Sequence, residues 1–166
     1  MAVADAGDDR SSVRPAALPP VGRLLGVDWG ERRIGLAVSD PAQTVATPLA
    51  TLTRRTGKRF PMRSLKTHLD ELRPVGIVVG LPLAEDGSED HRAAVVREAG
   101  ALIAAKSGLP VTYHDERMTT ARALGAVRDL GGATRGREGD VDRLAATVLL
   151  QSFLDGRRPE GAGAAE

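Results

Sequence analysis

The chain has 166 residues and a formal net charge of +1; 42% of its residues are apolar and only 2% aromatic, so one domain with an aliphatic core is expected. It contains no cysteine, which excludes disulfides, thiolate metal sites and a thiol nucleophile. No apolar run is long enough to span a membrane, and the acidic N-terminus lacks the apolar segment of a secretory signal, which predicts a cytoplasmic protein.

The two ends of the chain differ in composition from its middle. Residues 1–21 are rich in Ala, Pro, Asp and Ser, residues 157–166 end in GAGAAE, and neither segment shows hydrophobic periodicity. Both are therefore predicted to be disordered tails. The folded domain is expected to cover residues 22–156.

Three apolar segments at the start of this domain predict an antiparallel meander. Strands are expected over Leu24–Trp29, Ile34–Ser39 and Ala46–Leu52, because each run is short, apolar and bounded by turn residues. A helix is expected over Phe60–Leu72, where apolar residues recur at helical spacing.

The second half of the domain alternates strands with helices. Strands are expected over Val75–Val79 and Pro110–His114, and between them a helix runs to Ser107 from a predicted N-cap at Ser88. Further helices are expected from Thr119 or Thr120 to Leu130 and over Val141–Leu154. This alternation favours parallel strands joined by right-handed crossovers. The predicted fold class is α/β, with one mixed five-stranded sheet flanked by helices on both faces.

Several carboxylates follow these strands at the edge where a site is expected. In such a sheet, ligands bind at the carboxyl ends of the strands near a switch in strand order. The candidates are Asp28 near the end of the first strand, Asp115 and Glu116 at the end of the last, and Asp142 near the start of the final helix. Each alone could be a turn former, an ion-pair member or a helix-dipole partner, so the functional argument rests on the group. Grouped carboxylates without Cys or a His pair suit Mg²⁺ or Mn²⁺, which can activate water at a phosphodiester.

Side-chain direction limits which of these carboxylates can act together. Asp115 and Glu116 point to opposite faces if the strand continues through them, so only one of them can face the site. Asp140 and Asp142 are separated by about 200° around a helix, so they are not expected to act as a pair.

Arginine and lysine residues cluster in two loops, one after the third strand and one before the final helix. The members expected to contact nucleic acid are Arg54, Arg55, Lys58, Arg59, Arg135 and Arg137. Such side chains neutralise phosphates and supply most of the sequence-independent affinity for nucleic acid. The opposing interpretation is an ordinary solvated surface.

Four motifs occur in order along the domain: GVDWGERRIGLAVSD (26–40), IVVGLPLAEDGSE (77–89), VTYHDERMTTARA (111–123) and VDRLAATVLLQSFLD (141–155). Together they resemble the YqgF/RuvX family of bacteria, which is associated with pre-16S rRNA processing and with activity like that of a Holliday junction resolvase. The resemblance implies an RNase H-like fold and Mg²⁺- or Mn²⁺-dependent hydrolysis of phosphodiester bonds.

The family's acidic positions fall on Asp28, Glu116 and Asp142, with Glu116 favoured over Asp115 as the ligand. Arg33 and Arg117 lie within the first and third motifs, and we expect them to contact nucleic acid. One departure from the family pattern is Asp140, which stands where a basic residue is common and makes the entrance to the site more acidic.

Three alternatives to a nuclease acting on pre-16S rRNA would need different sets of these features. A resolvase of four-way DNA junctions makes two coordinated cuts and hence acts as a dimer, and the sequence is compatible with a monomer or a homodimer. A non-catalytic RNA-binding factor in ribosome maturation would need the basic loops but not the carboxylates. An ATP-binding protein of the sugar-kinase or actin kind needs two such domains, and this chain is too short for that.

Overall fold

The computed structural model describes residues 17–55, 57, 60–118 and 138–158. Within them five strands form one sheet: β1 Leu24–Trp29, β2 Arg33–Ser39, β3 Ala46–Thr53, β4 Gly76–Leu81 and β5 Val111–Asp115. Three helices accompany the sheet in this part of the chain: α1 Met62–Leu72, α2 His91–Ser107 and α3 Glu138–Arg157. A single 3₁₀ turn, Glu116–Met118, follows β5.

The strand order is β3-β2-β1-β4-β5, which confirms the predicted mixed five-stranded sheet. β2 is antiparallel to both β1 and β3, as expected of a meander, whereas β4 runs parallel to β1 and to β5. Parallel neighbours need a crossover connection that returns the chain to the same end of the sheet. The carboxyl ends of the parallel strands, at Trp29, Leu81 and Asp115, therefore meet at one edge, called the carboxyl edge below.

The sheet is covered on both faces, as the sequence predicted. α1 and α2 pack on one face, where Leu25 and Ile103 are fully buried in a common cluster. α3 packs on the other face, where Leu24 and Val78 belong to a second cluster. This layering explains why β1 and β4 are apolar on both sides, since neither face of the central strands meets solvent.

Glycine allows α3 to approach β1 closely. A Cβ added at Gly26 would lie 2.9 Å from the Cβ of Leu150 in α3, which is closer than real side chains come. Because successive side chains of a strand alternate, Gly26 and Asp28 both face α3. Because α3 lies so close to β1, the side chain of Asp28 projects towards this helix.

The start of α2 differs from the prediction that Ser88 is its N-cap. The hydroxyl of Ser88 donates instead to the carboxylate of Asp86 at 2.6 Å, within a turn. Asp90 is the N-cap, and its side chain accepts hydrogen bonds from two backbone N–H groups of the first turn at 2.9 and 3.2 Å. Ser and Asp are about equally good caps and both also stabilise turns, so residue type alone could not separate them.

A buried polar side chain, Gln43, ties the C-terminal turn of α3 to the opposite end of the sheet. Its backbone has a φ of 58°, and its side-chain amide donates to the carbonyls of Pro19 at 2.8 Å and Gly22 at 3.0 Å. Arg157 of α3 donates to its Oε1 at 2.7 Å. This network holds residues 17–22, the β2–β3 loop and α3 together, and so fixes the position of α3 over the sheet.

Several predicted features fall outside the described residues. They are residues 1–16 and 159–166 of the predicted tails 1–21 and 157–166, the helix ending at Leu130, and the nucleic-acid candidates Lys58, Arg59, Arg135 and Arg137. Among the helices that the structure describes, none is long and apolar enough to cross a membrane.

Candidate active site

Asp28 lies one residue before the end of β1, at the carboxyl edge. The residue is only 4% exposed, and it faces α3. Its partner in the antiparallel register with β2 is Gly35. Burial of a carboxylate costs free energy, so its presence at the end of a buried apolar strand indicates a role that compensates for the cost.

Asp142 lies in the first part of α3 and is fully buried. Its backbone carbonyl oxygen occupies the space into which a Cβ on Gly35 would project, and the methyl group of Ala146 lies 3.2 Å from the same point. Since Gly35 is paired with Asp28, the start of α3 rests directly beside Asp28. A residue larger than glycine at position 35 would push this part of the helix away.

Glu116 is the first residue of the 3₁₀ turn after β5. Its Oε1 occupies the space into which a Cβ on Gly80 would project, and Leu149 Cδ2 lies 2.9 Å from that point. The parallel register pairs Val27 with Val79, and one further residue along each strand brings Gly80 beside Asp28. The carboxylate of Glu116 therefore lies over the neighbouring strand on the same face as Asp28.

The three predicted acidic residues thus lie on one face at the carboxyl edge, with the backbone of Asp142 over β2, Asp28 on β1 and the carboxylate of Glu116 over β4. Asp28 is the central member, because β1 lies between β2 and β4. Adjacent strands are about 4.8 Å apart. All three offer carboxylate oxygens, the hard ligands that Mg²⁺ and Mn²⁺ prefer. In the described part of the chain, no three Asp, Glu or His side chains are gathered into a metal-binding cluster. The carboxylates are suitable ligands for such an ion. The three residues occupy neighbouring positions and are not arranged in one coordination sphere.

Asp115, the alternative to Glu116, faces the other side of the sheet. Tyr113, two residues earlier, packs its ring over Gly100 of α2, and alternation puts Asp115 on that face. The carboxylate of Asp115 accepts hydrogen bonds from Arg117 Nε at 3.0 Å and Nη2 at 2.7 Å. These bonds hold the pKa of Asp115 below its usual value. Asp115 is therefore committed to an ion pair away from Asp28.

Arg117 links β5 to the loop between β4 and α2. Besides its ion pair with Asp115, its Nη1 donates to the backbone carbonyls of Ala84 at 3.4 Å and Glu85 at 3.1 Å. A small cavity of about 60 Å³ lies between this loop and Glu116. The bonds of Arg117 thus fix the turn that carries Glu116.

Asp140 is also separate from the three carboxylates. Its side chain is 61% exposed and forms an ion pair with Arg143 of the same helix. Asp142, two residues later, is buried against the sheet, which agrees with the wide angle between them around the helix.

An aromatic stack at the carboxyl edge was not foreseen from the sequence. The guanidinium of Arg54 lies 4.6 Å from the centroid of the Trp29 ring, and Trp29 stacks on Phe60 with centroids 5.6 Å apart. Arg54 Nη1 also donates to the carbonyl of Glu31 at 3.3 Å. The one available signal was that the only tryptophan of the chain directly follows Asp28. Trp29 and Phe60 belong to the cluster under α1 and α2, so the stack holds a predicted nucleic-acid contact, Arg54, in a defined place at the carboxyl edge but on the face of the sheet opposite Asp28.

The other described cations lie around the same edge. Arg33 begins β2 and alternates with Gly35, so it shares the face of Asp28 and Asp142. Arg55 follows β3 and is exposed. The role of Gly35 was likewise not predicted, although a glycine inside a strand often marks a close approach of another backbone.

Comparison with known proteins identifies relatives over the same region. A family model described as "RuvX: Holliday junction resolvase" matches residues 22–156. A protein from Cereibacter sphaeroides (strain KD131 / KCTC 12085), named "Putative pre-16S rRNA nuclease", is 41% identical over 140 residues, which cover 84% of this chain and 87% of that protein. A protein of the same name from Mycobacterium sp. (strain KMS) is 39% identical over 155 residues, covering 91% of this chain and 90% of that protein. A solved structure, "T. thermophilus RuvC in complex with Holliday junction substrate", is 19% identical with a TM-score of 0.48, covering 81% of this chain and 94% of that chain.

Proposed function

Because the chain belongs to the RuvX Holliday junction resolvase family, we propose that it is a metal-dependent nuclease that hydrolyses phosphodiester bonds in precursor 16S rRNA. The observation that carries this proposal is the row of carboxylates at the carboxyl edge. Asp142, Asp28 and Glu116 come from distant parts of the chain and lie on one face across three adjacent strands. Carboxylate oxygens placed at one edge of a sheet are the kind of ligand that divalent cations such as Mg²⁺ prefer.

In this proposal the three carboxylates hold Mg²⁺ or Mn²⁺ through their oxygens. The chemistry that such an ion would supply here is polarisation of the phosphoryl group and activation of water. Asp28 is central, so it contributes to any cation held at this edge, and Asp142 and Glu116 supply ligands from either side. The burial of Asp28 and Asp142 strengthens their attraction for a cation, because the surroundings screen charge less than water does.

Cations around the carboxyl edge are proposed to position the nucleic acid. Arg54 is held in place at this edge, since its guanidinium lies on Trp29 and loses little conformational freedom when it binds a phosphate. Arg33, on the face of Asp28, and the exposed Arg55 are further proposed contacts among the described residues. Lys58, Arg59, Arg135 and Arg137 are proposed contacts outside the described residues. Arg117 would act indirectly, by fixing the turn that carries Glu116.

A four-way DNA junction is the second candidate substrate, because the matching family is described by resolvase activity. The names of the curated relatives favour the rRNA precursor instead. The two candidates differ in the assembly they need, since paired cuts across a junction require two active sites and rRNA trimming requires one. A cytoplasmic location is part of the proposal in either case.

The test compares Asp28→Asn with Asp140→Asn, an identical chemical change at an exposed acid of the same edge. Cleavage of a pre-16S rRNA fragment and of a four-way DNA junction is measured in Mg²⁺ and in Mn²⁺, with thermal unfolding as a check of folding. We expect Asp28→Asn to lose at least about a hundredfold in rate on the true substrate. Asp140→Asn should retain most of the activity.

The outcomes separate the candidate functions. Wild-type cleavage by folded Asp28→Asn protein would contradict the proposed metal site. RNA binding without any cleavage by either protein would instead identify a non-catalytic maturation factor. Preference for the junction, together with a dimer in solution, would identify a resolvase.

A further inference from the structure

A groove of about 780 Å³ lies between α1 and the C-terminal end of α2. It belongs to the helical layer that covers the face of the sheet opposite α3, so the sheet separates it from the carboxylates. Its floor is formed by apolar side chains, which are Met62, Leu69, Pro74 and Leu109. The volume falls within the range of sites that bind ligands or side chains of a partner.

The rim of the groove carries an excess of positive charge. Arg63, Arg73 and Lys106 line it, and in the described part of the chain no ion pair involves their side chains. Lys66 also lines the groove, but it is paired with Asp70 at 2.6 Å. The groove therefore presents three uncompensated cations above an apolar floor, an arrangement that is complementary to an anionic ligand with an apolar part.

Arg73 occupies an unusual backbone conformation at one end of the groove. It follows α1 with φ 47° and ψ 57°, and its N–H donates to the carbonyl of Leu69 at 2.9 Å. This left-handed position closes many helices, and glycine normally occupies it because a Cβ is strained there. This conformation ends α1 directly before Pro74 and places Arg73 at that end of the groove.

We propose that the groove binds an acidic segment of a protein partner, which inserts an aliphatic side chain between Asp or Glu residues. The apolar floor stabilises only a ligand that brings apolar surface out of water. A nucleic-acid backbone would leave that floor uncovered, and no aromatic ring lines the groove to stack on a base. An amphipathic peptide would cover the apolar floor with its aliphatic side chain and place its acidic side chains beside the cationic rim. Peptides bind in grooves of other proteins in a similar way.

This position has a consequence for the nuclease. Because the groove and the carboxyl-edge carboxylates lie on opposite faces of the sheet, a partner bound in the groove leaves the substrate face accessible. The acidic segment would thus recruit the protein without competing with nucleic acid.

The test measures binding of a short fluorescein-labelled peptide of alternating leucine and aspartate by fluorescence anisotropy. Matched peptides carry serine in place of leucine or lysine in place of aspartate, and a labelled single-stranded oligonucleotide serves as a competing polyanion. The variants are Arg73→Gly and Lys106→Glu, with Arg92→Glu, an exposed arginine near the other end of α2, as the control. Arg73→Gly should not unfold the chain, because glycine relieves the left-handed strain.

We expect the leucine-aspartate peptide to bind, and each groove variant to raise its dissociation constant by about fivefold. Arg92→Glu should change it little, and the cleavage rate of the groove variants should stay at the wild-type value. Equal binding of the serine-aspartate peptide would overturn the proposal, since the apolar floor would then have no role. Displacement of the peptide by the oligonucleotide, with oligonucleotide binding lost in the same variants, would identify a nucleic-acid surface instead.

Discussion

Replacing Gly80 by alanine tests whether the carboxylate of Glu116 needs its present place over β4. The added Cβ would overlap Glu116 Oε1 and would lie 2.9 Å from Leu149 Cδ2 and 3.1 Å from Glu116 Cδ. The backbone itself accepts alanine, because the φ of Gly80 is not positive. The substitution therefore acts mainly on the position of one carboxylate.

The structure predicts a large loss of cleavage rate and a small loss of folding stability for Gly80→Ala. The carboxylate must retreat by roughly 1 Å to restore a normal contact, and misplacement of that size costs on the order of a hundredfold in rate. Overpacking typically destabilises by about 1–3 kcal/mol. Here the neighbouring atoms are the ends of flexible side chains, and alanine is favoured over glycine in a strand by about 0.5–1 kcal/mol. The net loss of folding free energy should therefore stay near 1 kcal/mol.

Gly76→Ala is the matched control, because Gly76 lies on the same strand and the same face. Its added Cβ would lie 2.7 Å from Leu18 Cδ2, again the end of a flexible side chain, but at the end of β4 remote from the carboxyl edge. Cleavage rate is measured under single-turnover conditions, and stability by urea unfolding. We expect similar unfolding free energies for the two variants and a large difference in rate.

The double variant Gly80→Ala/Glu116→Ala tests whether Gly80→Ala lowers the cleavage rate by displacing the carboxylate of Glu116. If it does, Gly80→Ala adds no further loss of rate once the carboxylate is gone, and part of the stability returns. Full additivity of the two rate losses would refute the reasoning, as would a Gly80→Ala protein with wild-type activity.

Three further predictions concern other parts of the molecule. Arg54→Lys removes the planar group that lies on Trp29, so nucleic-acid affinity measured by anisotropy should fall by roughly fivefold; unchanged affinity would exclude Arg54 as a contact. Gln43→Ala removes three hydrogen bonds and leaves their partners unsatisfied, so urea unfolding should show a loss of about 2–3 kcal/mol; a loss below the error of the measurement would show that the network is not stabilising. Hydrogen bonds from Thr44 and the following backbone lower the pKa of Asp40 from 3.8 to about 2, so its contribution to stability is present above pH 3.8 and is lost as the pH falls towards 2. NMR titration of the carboxyl carbon checks this value, and Asp40→Asn should flatten the fall in stability over that interval.

The overall architecture could be predicted because its signals are local. Short apolar runs, alternating with helical periodicity, indicated the strands and helices that the structure describes, and the mixed five-stranded sheet is confirmed. The four motifs likewise identified the family correctly, since the family model matches residues 22–156. The start of α2 was predicted wrongly, because Ser88 and Asp90 are both good caps and only the folded turn around Asp86 assigns each its role.

The sequence by itself determined which carboxylates to consider, because Asp28, Glu116 and Asp142 each stand at the end of a strand or the start of a helix. Tertiary structure decided how they are arranged. Asp115 faces α2 with Arg117, whereas Glu116 lies over Gly80 and Asp142 over Gly35. Those positions depend on contacts between residues far apart in the chain, on strand register and on how closely α3 approaches the sheet. Local composition carries no record of such distances, so only the fold could bring the three acids to one face.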